Sequence, residues 1–193
     1  MHRIWIALAA IVALVAVGAA GATFIGSGSG TEEFAASFDA QAIGDPEITA
    51  RPGPVGPNGR KIEAKYFGTF ETETDNETGT DNYYDITLTL ELRLIDGDAS
   101  LGSAEGRWTL TRTDGSGRVV ARGELVAVAK GPSGDTRLHG MLMGVEFPPG
   151  LPERTLLANF SASLTDDFRS VAGAMGGQQL EPNPAVLHPP DDV

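Results

Sequence analysis

The sequence predicts an all-β fold: a small antiparallel meander β-barrel of about seven or eight strands, with a β-sandwich as the alternative, preceded by an N-terminal hydrophobic helix. Three observations predict it. Apolar and polar side chains alternate with a period of two from Lys61 to Met175, the mark of strands with one buried and one wet face. Short turns rich in Gly, Pro and Asp separate the runs, and no long amphipathic helix is available to cover an open sheet, so the sheet must close on itself or stack. Gly68, Gly106, Gly123 and Gly140 fall on the inward face of four of the runs, where a closing sheet needs bends or close approach of backbones. This last feature favours the barrel over the sandwich.

The chain opens with Met1-His2-Arg3, and the stretch from Ile4 to Ile25 carries no charge. That stretch is long enough for the ~20 apolar residues of a membrane span, and Ala20-Gly21-Ala22 offers a small-x-small cleavage pattern. Residues 1–30, ending in the flexible linker Gly26-Ser27-Gly28-Ser29-Gly30, therefore read as a signal peptide or an N-terminal membrane anchor. Either reading places the following domain outside the cytoplasm, because the basic residue precedes the apolar run.

Residues 31–60 read as an irregular lead-in. Thr31 to Gln41 is expected to form a short helix, with Thr31 as N-cap, Glu32 and Glu33 in the first turn, and Phe34 and Phe38 on one face. Pro46 to Gly59, interrupted by Pro52, Gly53, Pro54, Gly56, Pro57 and Gly59, is expected to be a connector.

The antiparallel β domain spans 61–176. Its first strand, Lys61–Glu73, turns Ile62, Ala64, Tyr66, Gly68 and Phe70 inward. The second, Tyr84–Ile95, turns Tyr84, Ile86, Leu88, Leu90, Leu92 and Leu94 inward. Ala104–Thr113 follows with Ala104, Gly106, Trp108 and Leu110, and the turn Asp114-Gly115-Ser116-Gly117 leads into Arg118–Lys130 with Val119, Ala121, Gly123, Leu125, Ala127 and Ala129. Thr136–Val145 places Leu138, Gly140, Leu142 and Gly144 on one face and His139 with two methionines on the other. Leu156–Thr165 and Phe168–Met175 complete the set. Residues 177–193, polar and Pro-rich, read as a disordered tail.

Composition excludes several function classes. The chain has no cysteine, which removes disulfides, thiol catalysis and Cys-ligated metals. A net charge of −12 disfavours nucleic acid, whose phosphates need a basic stripe, and leaves membrane contact to the N-terminal segment. His139 is the one histidine between leader and tail; no serine–histidine–carboxylate set is named around it, and a zinc site there would need several carboxylate partners. Asp75, Glu77 and Asp81 flank Gly79 but lack the spacing of a calcium loop. No metal, cofactor or catalytic residue is assigned.

Along the inward faces the only polar atoms are the hydroxyls of Tyr66 and Tyr84 and the indole N–H of Trp108. These three are the candidate ligand-binding residues. Acid–base chemistry needs a titratable group near substrate, and the inward set supplies no Asp, Glu, His or Lys. The expectation is a non-enzymatic domain that binds a small apolar ligand or a partner protein. The alternatives are a cyclase- or isomerase-like barrel and a purely structural envelope or adhesion module. A polar cluster around an open mouth would favour ligand; a filled interior would favour the structural reading.

Overall fold

The computed structural model describes residues 31–51, 59–72, 83–96, 101–131 and 135–180. The leader, the Asp75–Asp81 loop and residues 181–193 lie outside them. Within these residues there is no helix; nine strands run in chain order: β1 (Thr31–Ala42), β2 (Glu47–Ala50), β3 (Arg60–Thr72), β4 (Tyr83–Asp96), β5 (Leu101–Arg112), β6 (Val119–Lys130), β7 (Thr136–Glu146), β8 (Arg154–Leu164) and β9 (Ser170–Leu180).

Eight of them close into an antiparallel barrel. From β3 to β9 each strand pairs with the next, and β1 closes the ring by pairing with both β9 and β3. A sandwich is thereby excluded. Stepping from Ala42 through the partners Tyr66, Leu88, Trp108, Gly123, Gly144, Leu156 and Gln179 returns to β1 at Glu32, ten residues from the start. That stagger tilts the strands by roughly 40° and gives an interior that side chains can just fill. β2 continues the line of β1: after the bend at Gly44 it stays on β3, with Glu47 opposite Glu63.

The closing strand β1 is the segment expected to be a helix. Phe34 and Phe38 are four apart, a spacing that fits a helix face and a strand face equally. The intervening Ala36 decides for the strand: Ala36, Phe38 and Ala40 are all buried while Glu33 and Asp39 are exposed. The lead-in 31–60 is thus largely sheet. The tail is also shorter than expected, because Gly177 to Leu180 pair with β8 and β1. Gln178 and Gln179 disguise these last β9 positions by polarity. Val119, expected inward, is 38% exposed, since the β5–β6 register shifts between Leu110 and Thr111 and Val120 packs against the core instead.

The remaining inward series are buried as the alternation requires, from Ile62 on β3 to Leu164 on β8. The inward glycines sit where backbones crowd. A Cβ on Gly140 would lie 2.0 Å from the Val126 carbonyl oxygen, and one on Gly123 would lie 1.9 Å from that of Met143. A Cβ on Gly144 would lie 2.3 Å from Cζ2 of Trp108, so the indole of β5 reaches across Gly123 to rest on β7.

One end of the barrel is plugged. The β8–β9 turn carries Phe168, which is 5% exposed, held at φ 56°. The Phe168 amide donates to the Thr165 carbonyl at 2.9 Å, and the Asp167 carboxylate accepts from Thr165 and from the Arg169 amide. These bonds hold a backbone conformation that non-glycine residues seldom adopt. From inside the barrel the Tyr66 hydroxyl donates to the Phe168 carbonyl at 2.8 Å. Tyr66→Phe leaves that buried carbonyl without its partner and is expected to destabilise the fold by about 1–2 kcal/mol. Urea unfolding checks it; an unchanged midpoint would show that the bond contributes nothing to the closure.

Candidate functional site

The structure separates the three residues named from the sequence. Tyr66 is fully buried and spends its hydroxyl on the plugged end. Burial, reinforced by the charge of Asp167, holds its phenol well above the ordinary range. Trp108 lies in the packed middle, 4% exposed, with its indole N–H donated to the Glu124 carbonyl at 3.3 Å. Around it Leu88, Leu125, Leu142, Phe160 and Met175 leave a central void of about 10 Å³, room for one water and no ligand. Tyr84 alone stands at the other end, half-buried, its ring 6.3 Å from that of Phe70 and tilted 58°.

At that end the strand parity that fills the core with leucine delivers polar side chains. Continuing each inward series by one step gives Glu32 on β1, Thr72 on β3, Tyr84 on β4, Arg112 on β5, Glu146 on β7, Arg154 on β8 and Gln179 on β9. Register confirms the layer: Tyr84 is opposite Arg112 and Glu146 is opposite Arg154. The expectation of an inward face without titratable groups therefore holds in the middle of the barrel and fails at this end. It missed Glu146 because the strand was ended at Val145, and missed Arg112 and Arg154 because an apolar series was not followed past its last apolar member.

These side chains interact across the barrel. One guanidinium nitrogen of Arg154 donates to Gln179 Oε1 at 3.2 Å and approaches Glu32 Oε2 at 3.5 Å. Glu146 is held above the ordinary carboxyl value chiefly by burial; Arg154 opposes that rise and Glu32 adds to it. Tyr84 is raised by burial and by the negative charge of Glu146, while Arg112 lowers it. Two oxygens in the ring, Thr72 Oγ1 and Glu146 Oε2, are shielded from solvent and have no hydrogen-bond partner among the described residues. Buried polar atoms nearly always find a partner in protein, water or ligand, so this ring keeps unused hydrogen-bonding capacity.

A raised folded-state carboxyl binds its proton more tightly than the unfolded chain does. Its contribution to stability is present at low pH and falls as pH rises from the ordinary carboxyl value of 4.5 through the raised one. Glu146→Gln is expected to flatten this part of the stability profile and to gain most over the wild type at the higher pH. Urea unfolding at about pH 5 and about pH 8 measures it; an equal pH dependence in both proteins would contradict the buried-carboxyl account.

The outer wall carries a second feature. Val126, Val128, Met141 and Met143 are each 51–57% exposed, with Val126 directly opposite Met141 on β6 and β7. His139 stands outward beside them, opposite Val128. This is the face of β7 that carries His139 and the two methionines.

No protein-family model, curated protein or solved structure matches the chain.

Proposed function

We propose that the chain is an exported or membrane-tethered β-barrel domain, non-enzymatic, that binds a small molecule at its polar end. The observation that carries the reading is the inward ring around Tyr84, Arg112, Glu146 and Arg154, with two shielded oxygens lacking partners. The ring surmounts an apolar barrel whose far end is plugged by Phe168. The filled middle moves the expected ligand out of the lumen to the ring itself, above the buried Phe70 and Leu110. Pockets of this kind combine an apolar surface with a few convergent polar groups.

The assignment outside the cytoplasm draws on the uncharged run from Ile4 to Ile25 after Arg3. Thr31 pairs with Leu180 at the polar end, so an anchor in residues 1–30 would tether the barrel by the end that carries the ring.

A thermal-melt screen of the full chain, isolated with its membrane lipids, tests the reading. A ligand that prefers the native state at a hundred times its Kd adds about 2.7 kcal/mol and raises the melting temperature. That rise is expected for a small amphipathic molecule and is expected to vanish when Tyr84 and Arg112 are both replaced by alanine. Absence of any responsive small molecule would favour a structural module. The charge of Glu146 also acts on Tyr84, and two such groups suit an isomerase-like proton transfer; chemical turnover of a responsive compound would select that reading over simple binding.

A further inference from the structure

We infer that the outer wall of β6 and β7 is the face by which two copies of this chain associate, packed face to face about a two-fold axis that crosses the strands between Val126 and Val128. The inference stands apart from the ring. Val126, Val128, Met141 and Met143 leave more than half of their surface in solvent. Pairing sets Val126 beside Met141 and Val128 beside His139, and Met143 follows Met141 on the same face, so the four form one patch. Exposed apolar side chains grouped this closely mark an interaction surface. The wall continues without charge onto β8, where Asn159 and Ser161 stand opposite Met141 and His139.

Charge identifies the occupant. The chain carries 26 acidic against 14 basic residues, so two copies repel over most of their surfaces. This wall lets them meet without opposing like charges. On β6 its charges lie at the two ends of the strip, Lys130 at one and Glu124 at the other, both exposed. Six residues of strand set them about 20 Å apart, with Val126 and Val128 between them. A two-fold axis across the strands lays Lys130 over Glu124 of the second copy, forms that pair twice, and lays Val128 over Val126. An axis along the strands would set Lys130 against Arg137 of the second copy, like against like. The strip is thus complementary to itself, as an isologous contact requires. Arg107 approaches Glu124 only to 3.9 Å, beyond hydrogen-bond range, so the Glu124 carboxylate is available to Lys130. The strands that carry the patch are paired along both edges. The copies therefore meet through side chains, with the sheets about 10 Å apart, and not by adding strands. A face this narrow makes a weak, concentration-dependent dimer.

Sedimentation velocity of the full chain over a range of concentrations tests the assignment. The wild type is expected to show a monomer–dimer equilibrium, and Met141→Ser/Met143→Ser is expected to remain monomeric. Glu124→Lys and Lys130→Glu are each expected to weaken the dimer about tenfold or more, because each turns two attractive contacts repulsive. The double variant Glu124→Lys/Lys130→Glu is expected to recover it. The direction for Glu124→Lys is diagnostic: it makes the chain less acidic, so general repulsion alone predicts a tighter dimer. Melting temperatures of the variants confirm that each is folded. A wild type monomeric at every concentration overturns the inference. So does a dimer that survives Met141→Ser/Met143→Ser, or one that Glu124→Lys leaves unchanged or strengthens. Failure of the double variant to recover overturns the two-fold arrangement. None of these outcomes bears on small-molecule binding at the ring.

Discussion

Trp108→Ala is expected to lower the unfolding free energy by about 3–5 kcal/mol, the range for deleting a large buried aromatic side chain. The indole is 4% exposed and borders the centre of the lumen with Leu88, Leu125 and Leu142. Its ring covers Gly144, two strands away, at a place where even a methyl group would collide with it. Removing it takes away the transfer energy of the ring and leaves a void that two glycine-lined strands have no side chains to fill. The existing void of about 10 Å³ shows how little slack the native lumen holds. Denaturant unfolding followed by circular dichroism measures the loss. A cost under about 1 kcal/mol would mean that the interior collapses freely and is not a close-packed barrel.

Gly140→Ala is expected to cost about 3 kcal/mol, the upper part of the range for forcing atoms into a packed interior. The new Cβ would meet the Val126 carbonyl oxygen at 2.0 Å, and Cα and Cβ of Ala127 at 2.6 and 2.7 Å. Two are backbone atoms and the third is fixed to one, so no flexible side chain can swing away. Gly176→Ala is the control. It lies in the same sheet, and its added Cβ would come no closer than 3.8 Å to the Phe34 carbonyl oxygen. That substitution is expected to be neutral or stabilising by about 0.5 kcal/mol, because alanine loses less backbone freedom on folding. Equal costs at the two positions would show that strand propensity, and not the close approach of β6 and β7, governs these glycines.

Most of the barrel was legible because period-two alternation is a local signal. Leu88, Leu90 and Leu92 report their own burial whatever they pair with. The closing strand was not legible for the same reason: β1 is identified by its two partners, β9 and β3, and the spacing of Phe34 and Phe38 satisfies two periods at once. Val119 escaped because a register shift is a property of two strands together. The candidate site failed in a related way. Tyr66, Tyr84 and Trp108 share an inward parity, but parity does not give height along the barrel axis. Height depends on the ten-residue stagger, visible only when all eight pairings are known. That stagger sends Tyr66 to the plug and aligns Tyr84 with Arg112, Glu146 and Arg154. Parity followed one further step, two residues, past the apolar series would have found Arg112, Glu146 and Arg154, though not their convergence.

The acidity of the chain acquires a local meaning at this ring. A net charge of −12 repels anions at long range, and salt screens that repulsion beyond about 8 Å. Within the ring the two guanidinium groups of Arg112 and Arg154 stand with the two carboxyl groups of Glu32 and Glu146, so its formal charges balance.

The central claim is that small-molecule recognition resides at the polar end. Native mass spectrometry of the full chain isolated from a lipid-containing extract tests it most directly, in three forms: wild type, a Tyr84→Ala/Arg112→Ala ring variant, and a Met141→Ser/Met143→Ser outer-wall variant. The account predicts a bound small molecule on the wild type and on the outer-wall variant, and its loss from the ring variant. Retention by the ring variant with loss from the outer-wall variant would contradict it, and would move the working surface to the exposed strip of β6 and β7.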